Sequence, residues 1–537
     1  MSKAFGFLLL LLAVRIEVAA ADLAPVAPQM DCALLKTADF SGVADAPVHV
    51  TSATAIPNGQ PAPYCDVIGY VEPRVEFEVR LPLAGWTQRF LETGCGGLCG
   101  NLNIRVSNAD TCEVAQRGEF ALASTSMGHK GPGGDWGDNP ALRIDFAYRG
   151  VHVTTLAAKA IIAKYYGQPA RYSYFAGCSD GGREALMEAQ RYPNDFDGIT
   201  AGAPAMNFIT QNTFYHGWNA RVNTDANGHA ILTAEQLPIL HAAAVAACGA
   251  ADGLRDGLIS DPRACHFDPA VTECKAGQSA GTCLTAEQID VARKIYQGAH
   301  DSEGRQLVIS GPQPGSELAW RGVFVPNNAT QPVMSQMFAL DTIKHLAFDK
   351  NPPATFTLAD FHFDRKTFNA LKAGHELYDA TNPNLKKFAA HGGKLILWHG
   401  WSDPHISPLN TIAYFSAVEN FMGKEPARKF VRLYLFPGGY HCGGGEGPFD
   451  VDLLSPIMAW VESDKSPQAL IASHRPGPGK GEKADRTRPV FPYPLVASYT
   501  GSGSIDDAAN FVAKQPAAKF NDQPDWLGAP FFRANNP

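Results

Sequence analysis

A chain of 537 residues has room for three or four domains of about 150 residues each, or for one large domain carrying an insertion. With 45% hydrophobic and 10% aromatic residues it can bury a sizeable core, and its net charge of -8, from 45 basic and 53 acidic side chains, leaves no basic excess for a phosphate backbone. A disordered chain, a coiled coil and a nucleic-acid binder are therefore disfavoured. The 11 cysteines are an odd number, so at least one thiol stays free if the others pair within the chain.

At the N-terminus, Lys3 precedes an apolar run from Phe5 to Val14, and Ala19-Ala20-Ala21 stand ahead of Asp22. This is the layout of a secretory signal over residues 1–21, although Arg15 and Glu17 are untypical of one. The run is too short to span a bilayer, and no other stretch is long and apolar enough. The expectation is a secreted protein, extracellular or periplasmic, with no membrane partner; disulfides persist in such oxidising compartments.

From about Val75 to Gly150, short apolar segments alternate with turn residues (VEFEVRLPLAGW, QRFLETGCGG, GEFALASTSMG), which predicts buried strands of a mixed sheet. Apolar residues at spacings of three and four predict a helix from about Val151 to Tyr166, stopped by Gly167. Strand, turn and helix then follow at once in RYSYFAGCSDGGREALMEAQRYP. The rhythm is lost between residues 206 and 389, where four cysteines lie among short helical stretches; this segment is expected to be an inserted lid domain. It resumes in GGKLILWHGWSDP, a helix-like NTIAYFSAVENFMG and ARKFVRLYLFPGGYHC. The catalytic domain is thus expected over residues 22–205 and 390–537, as a sheet covered by helices on both faces with functional residues at the carboxyl ends of strands. The Pro- and Gly-rich tail from about Ser466 is expected to wrap the surface without adding a core.

Gly177-Cys178-Ser179-Asp180-Gly181 fits the nucleophile elbow of an α/β-hydrolase, in which a tight strand-to-helix turn lifts a serine hydroxyl above the sheet. Cys178 is a rival nucleophile, but an elbow centred on it needs a small residue where Asp180 stands. A serine hydroxyl needs a base to take its proton, and the base needs an acid to hold its tautomer. In this fold they follow in the order Ser, Asp, His. The strand LILWHG ends at Asp403, and VRLYLF leads to His441. His399 and His405 compete as the base, but both lie on the acid's own strand or loop. Cys178 precedes the serine and Cys442 follows the histidine, so a bridge between them staples the elbow to the histidine loop, worth up to about 4–5 kcal/mol in the chain-entropy account.

The set GCSDGGRE, WSDP and HCGGG resembles the tannase and feruloyl esterase family. The likeness extends from about Cys32 to Phe511 and includes QRFLETGCGG, RYPNDFDGITAGAPA and RTRPVFPYP. It implies an α/β-hydrolase fold with a large inserted lid, with Ser179 as nucleophile, His441 as base and then acid, Asp403 as its orienter, and a disulfide joining Cys178 and Cys442. The oxyanion hole is expected from the Asp180 amide and from Gly97, with Gly96 as the alternative. Residues 248–258 resemble the family's calcium loop: Asp252 and Asp256 match carboxylate ligands, and Leu254 and Leu258 match carbonyl donors. The family often has Asp where this chain has Gly249. The resemblance further pairs Cys32 with Cys65, Cys248 with Cys265 and Cys274 with Cys283, leaving Cys95, Cys99 and Cys112 unassigned. A C-terminal disulfide of some relatives is missing, since Phe491 and Ala513 stand there. The implied substrate is a small feruloyl, cinnamoyl or galloyl ester, carried on plant polysaccharide or polyphenol. A terephthalate monoester is the lesser candidate, because Arg321 does not align with the arginine used for it in the family. A serine peptidase and a non-catalytic binding protein of the same fold are the rivals.

Overall fold

In the computed structural model, residues 21–43, 45, 47–279, 281–476 and 483–534 are described, so residues 1–20 of the expected signal lie outside them. The centre is a nine-stranded sheet of β1 (Val48–Ile56), β2 (Tyr64–Val71), β3 (Val75–Pro82), β4 (Arg89–Thr93), β5 (Phe120–Thr125), β6 (Tyr172–Cys178), β7 (Gly198–Gly202), β8 (Lys394–Gly400) and β9 (Val431–Phe436). Their order is β1-β2-β3-β5-β4-β6-β7-β8-β9. The pairings from β1 to β5 through β3 are antiparallel, and those from β5 through β4 to β9 are parallel. The fold is that of an α/β-hydrolase, as expected.

Composition explains the two halves. β2 alternates half-exposed and buried positions, as a strand with one solvated face does. The parallel strands are buried along most of their length because both faces are covered. Along β6 and β8 successive side chains enter opposite cores: Phe175, Leu395 and Leu397 on one face, Tyr174, Ile396 and Trp398 on the other. The helix Gly150–Tyr166 ends where predicted, at Gly167 with φ 72°. The helix after β6 begins at Asp180.

Between β7 and β8 the described residues add no strand to the central sheet. Helices Leu237–Cys248 and Ala286–Gln297 lie there with a core of their own around Leu240, Ile295 and Trp320, whereas helix Met334–His345 packs Ala339 and Ile343 into the main core. Thr285 and Gln288 form a reciprocal capping box on the second of these helices. The bridges Cys248–Cys265 and Cys274–Cys283 staple this segment, and Cys32–Cys65 ties the N-terminal part to β2.

The tail departs from expectation. It forms two hairpins, β10 (Leu470–His474) with β11 (Arg486–Val490) and β12 (Val496–Tyr499) with β13 (Phe511–Lys514). Leu470, Ala472 and Val490 are buried in one core and Trp526 and Phe532 in the other. Its large apolar residues are too widely spaced to give a period, yet several fill gaps in the main body, while Ile471 and Val512 stay exposed.

No helix among the described residues is long and apolar enough to cross a membrane. One buried ion pair stands out. Arg89, at the start of β4, donates through Nε and Nη2 to both oxygens of Glu462 at 2.7 and 2.8 Å, and the Tyr174 hydroxyl adds a third bond at 2.7 Å. The two side chains are 2% and 0% exposed. Replacing one partner strands the other charge, so Glu462→Ala is expected to lower unfolding stability by about 3–5 kcal/mol in a denaturant titration, with most of it recovered when Arg89 is replaced by Met as well.

Candidate active site

β6 runs to Cys178, and Ser179 turns into the following helix with φ 66° and ψ -122°, a conformation costly for a residue with a side chain. The turn is held because the Ser179 amide donates to Gly202 O at 3.0 Å, and its carbonyl accepts from Arg183 and Ala205 at 3.1 and 3.0 Å. Crowding explains the glycines on either side. A Cβ on Gly177 would stand 2.2 Å from Gly181 O, and one on Gly181 would stand 2.8 Å from Cys95 O.

Asp403 follows β8 and His441 follows β9. His441 Nδ1 lies 2.7 Å from Asp403 Oδ2, and His399 Nε2 reaches the same oxygen at 3.0 Å. Oδ1 accepts from the amides of His405 and Ile406 at 2.7 and 3.1 Å. Burial opposes the charged form of Asp403, but the imidazoles of His441 and His399, through charge and hydrogen bonds, hold its carboxyl well below the usual carboxylate range. An ionised carboxylate only accepts, so both ring nitrogens facing it carry the proton. That leaves Nε2 of His441, which bonds no described residue, as the basic nitrogen.

The expected bridge joins Cys178 to Cys442, with Cα atoms 5.9 Å apart across 264 residues of chain. It sets the Ser179 and His441 turns side by side. Ser179 lines a small cleft of about 40 Å³ with Gly97, Asp180, His216, Phe338 and His405. The His405 ring is 4.6 Å from that of His441 and 5.8 Å from that of His216. Burial, then the nearby His441, pushes the His216 imidazole down to about 3 and the His405 imidazole well below its ordinary value, so both are neutral. By residue order alone His399 and His405 are only competing bases. In the fold one supports Asp403 and the other lines the cleft, and no local pattern distinguishes those tasks.

The loop from Gly94 to Cys99 passes over the start of the elbow helix. Gly97 has φ 63°, and among the described residues its amide has no hydrogen-bond partner. The Asp180 amide, at the first turn of its helix, is likewise unpartnered among them. Asp180's carboxylate points away, paired with buried Arg183 through Nε and Nη2 at 2.7 and 3.0 Å. Cys95 and Cys99 are bonded to each other, and Cys112 is a buried free thiol.

Among the described residues, two groups of donor side chains are compact enough to share a metal ion: Cys95, Cys99, Asp180 and Glu184, and separately His152, Glu188 and Asp195. In the first, the disulfide removes both thiolates as ligands. In the second, the Lys159 ammonium sits beside Asp195 and Glu188. The four residues of the expected calcium loop, Asp252, Leu254, Asp256 and Leu258, line one cavity of about 60 Å³. The donor chemistry fits a hard cation in part. Asp252 is met by the Ser260 hydroxyl and the Leu254 amide, whereas Asp256 is paired with Arg488 of the tail at 2.7 Å.

A family profile described as tannase and feruloyl esterase matches residues 59–514. The chain belongs to this family. An uncharacterized esterase of Xanthomonas campestris pv. campestris is 32% identical over 523 residues, covering 86% of this chain and 88% of its own. The mono(2-hydroxyethyl) terephthalate hydrolase of Piscinibacter sakaiensis is 32% identical over 538 residues, covering 88% and 87%. The crystal structure of feruloyl esterase B from Aspergillus oryzae superposes with a TM-score of 0.77 at 26% identity, over 90% of this chain and 99% of that one. This member of the tannase and feruloyl esterase family is a carboxylic ester hydrolase, acting on a small ester substrate.

Proposed function

We propose that the protein is a secreted serine esterase that hydrolyses small phenolic acid esters, of the feruloyl, cinnamoyl or galloyl kind, through an acyl-enzyme. The observation that supports this reading is the Asp403–His441 hydrogen bond of 2.7 Å together with the Cys178–Cys442 bridge, which ties the residue before Ser179 to the residue after His441. His441 Nε2 takes the Ser179 proton as Oγ bonds to the ester carbonyl carbon. The oxyanion so formed meets the amides of Gly97 and Asp180, each worth about 3 kcal/mol in the transition state. His441 returns the proton to the leaving alcohol, and the same steps in reverse, with water in place of the alcohol, release the acid. Asp403 stays anionic throughout and stabilises the imidazolium.

The cleft favours a neutral aromatic acyl group. Phe208 and Phe338 supply apolar walls, and Gln211, Asn212 and His216 supply polar groups suited to phenolic hydroxyls. None of the cleft residues is cationic, since both histidines are held neutral. A terephthalate monoester would bring a carboxylate into that space with no partner. Residues 206–389 act as the lid in this reading, because Phe208, His216 and Phe338 all come from them. The five disulfides accord with export to an oxidising compartment. Calcium is the cation proposed for the lid loop, held by Asp252, Asp256 and the carbonyls of Leu254 and Leu258, with Arg488 as the group it displaces from Asp256.

Ser179→Ala is expected to lower kcat by at least about 10³-fold with the fold intact, and a variant of wild-type activity would remove the serine mechanism. Methyl ferulate or methyl gallate should exceed the terephthalate monoester in kcat/KM by roughly ten-fold or more; the reverse order would assign the monoester instead. Chelation should lower the melting temperature while leaving kcat at low temperature unchanged, and a melting temperature indifferent to both chelator and added calcium would dismiss the metal.

A further inference from the structure

We infer that Glu184 and the Cys95–Cys99 bridge form a clamp that positions the Gly97 amide for the oxyanion, with Glu184 serving as an uncharged acid; this rests on the serine-esterase reading.

The loop that carries Gly97 has firm ends and a middle with one internal hydrogen bond, the Cys99 amide donating to Gly96 O at 3.1 Å. At its start, the Gly94 amide donates to Ala176 O at 3.0 Å, and a Cβ there would lie 2.7 Å from Gly181 Cα and 2.8 Å from Glu184 Oε2. After it, Leu98 O lies 2.7 Å from His129 Nε2, and Gly100 O accepts from the Gly131 amide at 3.0 Å. In between, a Cβ on Gly96 would meet nothing within 4 Å, and one on Gly97 only the rim of Phe338 at 3.7 Å. Two glycines without packing contacts sample many backbone states unless their neighbours are pinned. Cys95 and Cys99 are those neighbours, and their bond closes the turn over a sequence separation of 4.

The bridge is in turn anchored to the elbow helix. Cys95 O accepts from the Gly181 amide at 2.8 Å, and the Cys95 amide donates to Glu184 Oε2 at 3.3 Å. Glu184 Oε1 lies 2.7 Å from Cys95 Sγ and 3.4 Å from Cys99 Sγ. A disulfide sulfur has no proton to donate, so the hydrogen in the Oε1 contact comes from the carboxyl. Charge counting agrees. The buried group holds one cation, Arg183, which Asp180 already engages at 2.7 and 3.0 Å, so a second carboxylate would be unpaired. Burial, then the Asp180 carboxylate, push the Glu184 carboxyl well above its ordinary value. Protonated Glu184 therefore spans the clamp, donating to sulfur and accepting from the Cys95 amide, directly beneath the loop. It touches no reacting atom and is a positioning residue.

An amide can make the same two contacts, which separates this role from mere packing. With p-nitrophenyl butyrate as substrate, Glu184→Ala and the double variant Cys95→Ser/Cys99→Ser should each lower kcat at least about ten-fold with KM within about two-fold, and weaken phenylboronic acid, which forms a tetrahedral adduct, by a similar factor. Glu184→Gln should stay within about three-fold of wild type in both measurements. Wild-type kcat in Glu184→Ala, a loss confined to KM, or a Gln variant as damaged as the Ala variant would overturn the clamp. Should the cysteine variant fail to fold, the Gln and Ala pair decides alone. Ser179→Ala is assayed alongside: if it is inert while Glu184→Ala is undamaged, only the clamp fails, whereas an active Ser179→Ala removes the serine reading itself.

Discussion

A carboxylate sealed from water stays ionised only when its oxygens are met by donors, and the site is organised around meeting that demand at Asp403. Two amides from its own loop take one oxygen, and two imidazoles, from β8 and from the loop after β9, take the other. The loop itself is fastened to the segment inserted between β7 and β8. Ser402 donates to Gly315 O at 3.1 Å, the Tyr215 hydroxyl donates to Pro404 O at 2.9 Å, and the Ser310 and Ser407 hydroxyls meet at 2.6 Å. The loop of Asp403 is therefore also the joint between the sheet and the insertion, so a shift of either disturbs the orientation of His441.

The elbow is governed by a second constraint, the lack of space. The backbone after β4, the start of the elbow helix and the end of β7 approach so closely that Gly177, Gly181 and Gly182 have no room for a Cβ. The same closeness lets short contacts do the positioning: Cys95 against Gly181, Cys178 against Cys442, Asp180 against Arg183. Covalent bonds and one buried ion pair thus hold geometry that glycine-rich segments would not keep by packing. The tail contributes at a distance, through Arg488 on Asp256 of the inserted segment and through the aromatic residues it adds to the core.

Spacing and residue type by themselves determine the local features of this protein. A strand, a G-x-S-x-G turn and a helix within about twenty residues constrain one another through backbone sterics, so Ser179 and its neighbours are legible without a fold. Asp403 and His441 are legible for a related reason, since each stands in a short Gly-containing loop soon after an apolar run that reads as a buried strand. Three matters belong to the tertiary structure alone: the pairing of Cys95 with Cys99, the second imidazole on Asp403, and the place of Glu184 under the Gly97 loop. Cys95 and Glu184 are 89 positions apart in sequence, and they meet only because β4 and β6 are neighbours in the sheet. Side-chain period records which face of a strand is buried but not which strand lies beside it, and the tail's scattered aromatics have no period, so the gaps they fill are defined only by the packed fold.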